Sequence, residues 1–270
     1  MMSTMKSEWI KLRSTKSFWW TTALIIFFSV GFAALNGSLT ANSINKIDPA
    51  KDPETYAAMA GSLNIQGALG GLKLFGIMII LIQAVMIVTT EYGHGTAKTS
   101  VLATPKRWQL PVAKFIVYGI VAAVLTFLVS VVSIFLAHAL ASGYLEDSKM
   151  LEGMSFQAED VWTIVGRLVL YAVLCVLVGI GTGYLVRSTA AGIAVLLLWK
   201  LIGEGLLVGM IPKIKDWLPP YMPFSNIESA VGMTDVPDAP WGQGGSIVYF
   251  GLICLAVFII GTAMLKKRDA

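Results

Sequence analysis

The stretch from Val112 to Leu140 reads VAKFIVYGIVAAVLTFLVSVVSIFLAHAL, and it decides the fold class. Apart from Lys114 near its start, it contains no Asp, Glu, Lys or Arg. An α-helix needs about 20 apolar residues to cross the hydrocarbon core of a bilayer, and this run is longer. Its apolar residues are continuous rather than alternating with polar ones, which argues against a membrane strand. The run therefore predicts a transmembrane helix.

Five further runs share this character. Together the six predicted spans are about 18–39, 72–90, 112–140, 161–186, 190–211 and 246–265. The chain has 270 residues, of which 56% are hydrophobic and 13% charged, whereas soluble domains carry about 25% charged residues. We therefore expect an all-α membrane protein with six transmembrane helices. A single transmembrane domain over 18–270 would follow a separate segment over 1–17.

The positions of the charges predict an orientation in the membrane. Lysine and arginine are concentrated in alternate connections: residues 1–17, 91–114, Arg187 and 266–268. The other connections are mainly acidic. Because cationic loops stay on the cytoplasmic side, both termini are expected in the cytoplasm. The net charge of +4 is thus explained by orientation, and nucleic acid is not an expected partner.

The segment before the first span has the pattern of a surface helix. Met5, Trp9 and Leu12 fall on one helical face, while Lys6, Lys11 and Arg13 lie elsewhere. This pattern predicts an interfacial amphipathic helix on the cytoplasmic leaflet, in contact with lipid. A flexible basic leader is the alternative.

Two external segments have recognisable features. A short helix is predicted around Pro53–Met59. Before the sixth span, residues 213–233 read KIKDWLPPYMPFSNIESAVGM. The prolines there prevent a long continuous helix, and the apolar content is too high for a free loop. A re-entrant or interfacial segment on the outer face fits both properties.

The connection after the second span, residues 89–100, reads TTEYGHGTAKTS and has some likeness to a phosphate-binding loop. That loop requires a glycine before its lysine and a strand before the loop. Here Ala97 precedes Lys98, and a membrane span comes first. We therefore expect no nucleotide to bind this connection.

The same connection has the properties of a short exposed helix. Gly93 and Gly95 allow the backbone to turn sharply. Thr96 can cap a helix over 97–102, which Pro105 would end. Such a helix could contact a soluble partner, or the segment could be an ordinary tight connection.

Three stretches are similar to a known family. These are SEWIKLRSTKSFWW at 7–20, TTEYGHGTAKTSVLATPKRWQLPVAK at 89–114 and WLPPYMPF at 217–224. The chain resembles the type-2 ABC transporter permeases, the six-span membrane subunits of bacterial drug and antibiotic exporters. The family often has arginine where this chain has Gly93, so no cation role is carried over to that position.

The resemblance implies roles for two groups of residues. It places an elbow helix at the N-terminus, with the matching residues Glu8, Trp9, Lys11, Leu12 and Arg13. It places a cytoplasmic element that couples to an ATPase between spans 2 and 3, which in this chain comprises Glu91, Tyr92, Gly93, His94, Gly95, Thr96, Lys98, Pro105 and Arg107.

The resemblance also implies partners. Two permease subunits, identical or related, would pair in the bacterial cell membrane, and each would dock one cytosolic ABC ATPase. ATP and Mg would be bound by that ATPase, so this chain would hold no cofactor and would not itself be an enzyme. The exported substrate would be amphipathic: a drug, a peptide antibiotic or a lipid, with antibiotic resistance as an outcome.

Three charged residues lie inside apolar runs. Lys200 and Glu204 are four residues apart, so in an α-helix they share a face and can form a pair. That pair could be a polar point in the substrate path, a gate between subunits, or a self-neutralised structural pair. Arg167 is a further intramembrane charge that could reach the outer leaflet.

Two other classes of function stay open. A membrane carrier or scaffold that uses no ATP would have a similar composition, although no internal repeat typical of carriers is visible. An intramembrane enzyme would need a nucleophile or metal set inside the bundle. The sequence has no H-E-x-x-H, no G-x-S-x-G and no metal-ligand spacing around His94 or His138.

Overall fold

The structure is a computed structural model that describes residues 1–102, 104, 106–145, 148–207, 210 and 217–268. Over these residues the chain is helical and contains no strand, which confirms the all-α class. The helices are α1 (Met2–Ser14), α2 (Lys16–Lys46), α3 (Pro53–Ser62), α4 (Ile65–Gly71), α5 (Ile77–Gly93), α6 (Ala97–Leu102), α7 (Gln109–Ser142), α8 (Val161–Val186), α9 (Thr189–Leu198), α10 (Pro223–Val231) and α11 (Gln243–Arg268).

Five helices in the described part of the chain are long and apolar enough to cross a membrane. They are α2, the continuous helix Ile65–Gly93, α7, α8 and α11. The helix Ile65–Gly93 joins α4 to α5 through a π-helical turn at Leu72–Gly76. The predicted span 161–186 has the same bounds as α8, while the other four helices extend beyond the predicted ends.

The predicted fifth span, 190–211, is not among these five helices. It falls on α9, which has 10 residues, and on a π-helix, Trp199–Leu207, that follows directly. Residues 208, 209 and 211 of the predicted span lie outside the described residues, as do Pro105 and residues 212–216 of the predicted external segment.

The chain divides into two compact units. The first comprises Met1–Thr21, Met78–Ala123 and Val169–Ala270, and the second comprises Thr22–Ile77 and Val124–Leu168. The first unit therefore contains α1, nearly all of α5, α6, α9, α10 and α11.

In the first unit, the glycines of α8 allow two helices to approach closely. A Cβ atom at Gly179 would lie 2.6 Å from Cβ of Ala84 in α5, and Gly183, one turn later, faces the same helix. A Cβ atom at Gly181 would lie 2.7 Å from Cα of Phe258 in α11. Because successive turns of a helix return to the same face, these alternate glycines serve opposite neighbours. Small residues at these positions let the backbone of α8 approach both neighbouring helices.

In the second unit, α2 packs against α7, and a short capped helix follows α2. A Cβ atom at Gly37 would lie 2.5 Å from the carbonyl oxygen of Ala137, so α2 and α7 touch at their backbones. The predicted helix near Pro53–Met59 is present as α3, and the Asp52 carboxylate caps it by accepting the Thr55 N–H at 3.1 Å. This helix therefore has a defined start on the segment before α4.

Candidate functional site

Four charged side chains meet in the first unit, and we call them the charge cluster: Glu8, Lys11, Glu91 and Lys114. The Lys114 ammonium lies 2.6 Å from Glu8 Oε2 and 2.8 Å from Glu91 Oε1. The Lys11 ammonium lies 2.8 Å from Glu8 Oε1 and 2.9 Å from Glu91 Oε1. Each ammonium thus contacts both carboxylates, and the charges alternate around a closed ring.

The cluster joins four separate helices. Glu8 and Lys11 lie on α1, three residues apart and so on one face. Glu91 is in the last turn of α5, and Lys114 is in the second turn of α7. Lys11 also donates to Ser100 Oγ at 3.1 Å, which brings in α6. Through Lys11, α6 is therefore bonded directly to α1 and is connected indirectly to α5 and α7.

Because the charge cluster is largely buried, its stability depends on every one of its charged groups. The side chains of Lys114 and Glu8 are only 1% and 4% exposed. The Lys114 ammonium uses its third donor on the carbonyl oxygen of Ile87 at 3.4 Å, so each of its three N–H groups has an acceptor. Removing one partner of a buried ion pair typically costs about 3–5 kcal/mol, because the other charge stays buried without compensation.

Lys11 occupies the outer edge of the cluster and stays charged. Burial would lower its pKa, but hydrogen bonds and charges from Glu8 and then Glu91 outweigh burial, so the pKa of Lys11 is raised. A raised pKa means that its contribution to stability is complete below the ordinary lysine value of about 10.4. The contribution is lost only as the pH rises through the higher folded-state value.

The segment after Glu91 is folded tightly against the end of α5. The N–H of Thr96 donates to the carbonyl oxygen of Glu91 at 2.9 Å, and its hydroxyl donates to the same oxygen at 3.3 Å. His94 Nδ1 lies 2.8 Å from the carbonyl oxygen of Thr90. Gly95 has φ +70°, a left-handed conformation that favours glycine. These contacts fix where α6 begins.

Helix α6 spans the residues at which a short helix was predicted, Ala97–Leu102, and much of it is exposed. Lys98 is exposed, and Leu102 is 82% exposed. Arg107 is partly buried, and Pro105 lies outside the described residues. At the end of α5, the Arg187 guanidinium stands over the Tyr92 ring at 4.8 Å.

The first helix turns Leu12 toward the protein, where it is 5% exposed, while Trp9 is 43% exposed and Arg13 is exposed too. The predicted contact of its apolar face with lipid stays a prediction. Glu8 shares the inward face with Leu12 because they are four residues apart and because Lys11 and Lys114 neutralise its carboxylate. Hydrophobic spacing could not find this face, because one of its two buried residues is charged.

Sequence reasoning missed Lys114 as a member of the site. The lysine was counted among the cations of a connection, yet it is the third residue of an apolar run. A lysine inside the bounds of a predicted span needs a buried partner, so its position was the available signal. Glu91, at the end of the preceding span, was the corresponding candidate.

The predicted pair of Lys200 with Glu204 is wrong in its partners. Lys200 instead pairs with Glu228 of α10. The cause is the π-helix over Trp199–Leu207, in which residues five apart, rather than four, are linked. In that register Trp199 Nε1 donates to Glu204 Oε1 at 2.8 Å.

Both residues bind α10 rather than each other. The Glu204 carboxylate accepts the Ser225 N–H at 2.8 Å and the Ser225 hydroxyl at 3.2 Å. Lys200 lies 5.6 Å from the centre of the Phe224 ring, and Glu228 also accepts the Tyr171 hydroxyl at 3.2 Å. We call Lys200, Glu204 and Glu228 with these partners the polar latch. Arg167 belongs to the second unit, where it is partly buried in α8.

Asn226 is a second residue that the sequence did not single out. It is fully buried, and its amide donates to the carbonyl oxygens of Pro220 and Met222 at 2.9 and 2.8 Å. Its oxygen accepts Trp241 Nε1 and the Ser246 hydroxyl, both at 2.9 Å. All of these contacts tie the proline-rich segment and α10 to the start of α11.

These helices and their charged contacts define a helical membrane protein whose terminal helix α1 is bonded to its membrane spans. The family model described as ABC-2 family transporter protein matches residues 4–203. The chain therefore belongs to the ABC-2 family of transporter proteins, and its resemblance to type-2 ABC permeases is confirmed. The match includes the whole charge cluster and ends before Glu204 and Glu228. A search of curated proteins found no match.

Proposed function

We propose that this chain is the permease subunit of an ATP-driven exporter, and that the charge cluster connects it mechanically to a separate cytosolic ATPase. The observation that carries the proposal is the bonding of α6 to α1, α5 and α7 through Ser100, Lys11 and their two carboxylate partners. In this proposal α6 is the coupling helix and α1 is the elbow helix.

The exposure of α6 supports a docking role. Leu102 is 82% exposed and Lys98 is exposed, while Val101 on the same short helix is buried at 7%. The helix thus has one face held by the protein and another open to a partner. A force on the open face would pass into three other helices, because the cluster has no unused ammonium donor that would let it yield easily.

The proposed topology has six spans and places both termini in the cytoplasm. The cations of residues 1–17 and 91–114 support this orientation. The fifth span would be made of α9 and the π-helix Trp199–Leu207, with α10 as the external re-entrant helix. Polar groups at membrane depth need partners within the protein, and the polar latch would supply them for the π-helix.

The partners follow from the family. Two copies of the ATPase would bind ATP and Mg, and a second permease subunit, identical or related, would complete the complex. The substrate would be an amphipathic drug, peptide antibiotic or lipid. We place the complex in the bacterial cell membrane.

Copurification with a matched pair of variants tests this function. Lys98→Glu reverses a charge on α6, and Lys6→Glu reverses a similarly exposed charge on α1 outside the cluster. We expect the native chain and Lys6→Glu to bring down an ATPase with ATP hydrolysis in vesicles, and Lys98→Glu to lose most of both. Equal retention by the two variants, or transport by the purified chain with no ATPase bound, would refute the proposal.

A further inference from the structure

A cavity of about 700 Å³ lies beside the charge cluster in the first unit. Small-molecule sites usually enclose about 300–1,000 Å³, so the cavity is large enough for a ligand. It is lined by the end of α1, the start of α2, the last turns of α5 and part of the segment that leads into α6.

The charges of the lining favour an anion. Three lysines, Lys11, Lys16 and Lys114, stand against two carboxylates, Glu8 and Glu91. Lys11 and Lys114 are engaged with those carboxylates. Lys16 is exposed and forms no ion pair among the described residues. The cavity therefore has one cation whose charge its own wall does not balance.

The rest of the lining favours an amphiphile over a small free anion. Leu12, Met86 and Ile87 form an apolar part of the wall, and the Ser17 hydroxyl lies next to Lys16 in sequence at the start of α2. A ligand with a charged end and an apolar end would satisfy both parts of the wall. A small anion would leave the apolar part in contact with water.

The surrounding sequence narrows the source of the anion. Segments 1–17 and 89–114 contain no acidic residue other than Glu8 and Glu91, which the cluster neutralises, yet they carry further exposed cations at Lys6, Arg13 and Lys98. Basic pockets next to spans on the cytoplasmic side attract anionic lipid head groups, since that leaflet has a negative surface potential.

We infer that this cavity binds the phosphate head group of an anionic phospholipid. Lys16 and the Ser17 hydroxyl hold the phosphate, and an acyl chain lies along Leu12, Met86 and Ile87. The bound lipid fills the space between α1 and α5 and supports the charge cluster from one side. The inference rests on the proposed cytoplasmic position of α1, but it does not require an ATPase.

Lipid retention by the full chain tests the inference. The chain is placed in nanodiscs with equal amounts of phosphatidylglycerol and phosphatidylcholine, transferred to mild detergent, and its retained lipid is measured by mass spectrometry. We expect phosphatidylglycerol to be enriched. Lys16→Gln should reduce the enrichment about fivefold, from a contribution of about one kcal/mol per basic residue near an anionic surface. Lys6→Gln, the matched exposed lysine outside the cavity, should change it little.

A second pair of variants leaves the net charge of the chain unchanged. It distinguishes lipid binding in the cavity from a general attraction of anionic lipid to the basic surface. Met86→Trp should fill the apolar part and reduce retention, whereas Leu102→Trp, on exposed α6, should not. Equal losses for Lys16→Gln and Lys6→Gln would overturn the site. If inorganic phosphate alone displaced the lipid, the cavity would instead be a site for a free anion. If Lys16 were protected from acetylation only when the ATPase is bound, the cavity would instead be a contact site for that protein.

Discussion

The charge cluster contains two ammonium groups that each contact both of its carboxylates, whereas the polar latch contains one ion pair and the carboxylate of Glu204, surrounded by aromatic rings and neutral donors. The cluster joins four helices through α1 and α6, while the latch joins the π-helix, α10 and α8. The comparison teaches that shared carboxylates make a closed ring of charges between helices, whereas the latch depends on one ion pair supported by neutral donors.

The largest effect is expected from Lys114→Met. The substitution keeps the length of the side chain but leaves Glu8 and Glu91 buried with Lys11 alone, so the free energy of unfolding should fall by about 3–5 kcal/mol. Unfolding of the purified chain in mixed micelles measures this change. Lys98→Met, an exposed lysine, serves as the control and should stay within about 0.5 kcal/mol of the native chain. Equal costs at the two positions would mean that the cluster is not the junction that the distances indicate.

Asn226→Leu should have the next largest effect, on the latch side of the comparison. It leaves two donors and two carbonyl oxygens without their amide partner, and each stranded buried group costs about 1–3 kcal/mol. Some of these groups would find new partners, so a total loss of about 2–4 kcal/mol is expected. The same unfolding measurement applies, with the exposed Asn45→Leu as control. A change no larger than the control would show that α10 is held by other contacts.

Double-mutant cycles distinguish the true partner of Lys200. The coupling energy between Lys200→Met and Glu228→Gln should be about 1–3 kcal/mol, because the two side chains are in contact. The coupling between Lys200→Met and Glu204→Gln should be smaller, because Glu204 is bonded to Trp199 and Ser225 instead. A stronger coupling to Glu204 would indicate that Lys200 pairs with Glu204, as an α-helix would allow. The polar latch would then lack the ion pair to α10 that distinguishes it from the charge cluster.

The smallest effect concerns the backbone next to the cluster. Gly95 has φ +70°, so Gly95→Ala should cost about 1–2 kcal/mol, the penalty of a left-handed residue with a side chain. Gly93 ends α5 with open space around it, so Gly93→Ala should be neutral or slightly stabilising. Thermal unfolding compares the two variants. If Gly93→Ala lost more stability than Gly95→Ala, the left-handed turn at Gly95 would not be what positions α6.

Much of the membrane architecture could be predicted from the sequence, because long apolar runs have few alternatives in a bilayer. The run at 161–186 even gave the helix bounds of α8. The segment after Ala190 could not be placed, since its glycines and charges permit a π-helix that hydropathy does not distinguish from an α-helix. The register error at Lys200 and Glu204 followed from this.

The sequence could predict most of the residues of the candidate site, but it could not predict which of them contact one another. Glu8, Lys11 and Glu91 were singled out by family motifs, but the motifs do not state that they bond to one another. Lys114 was missed because a lysine near the end of a span is normally an anchor at the membrane surface. Only the fold brings α1 and α7 close enough to bury it.

The central claim is that ATP-driven force enters at α6 and passes through the charge cluster. Its most direct test is an electron paramagnetic resonance measurement on the complex in vesicles, with a spin label at Tyr144→Cys after α7. Addition of ATP and vanadate should change the label spectrum in the native background. In Glu8→Gln the ATPase should remain bound but the change should be largely lost. An unchanged response in Glu8→Gln with the ATPase still bound would contradict the account.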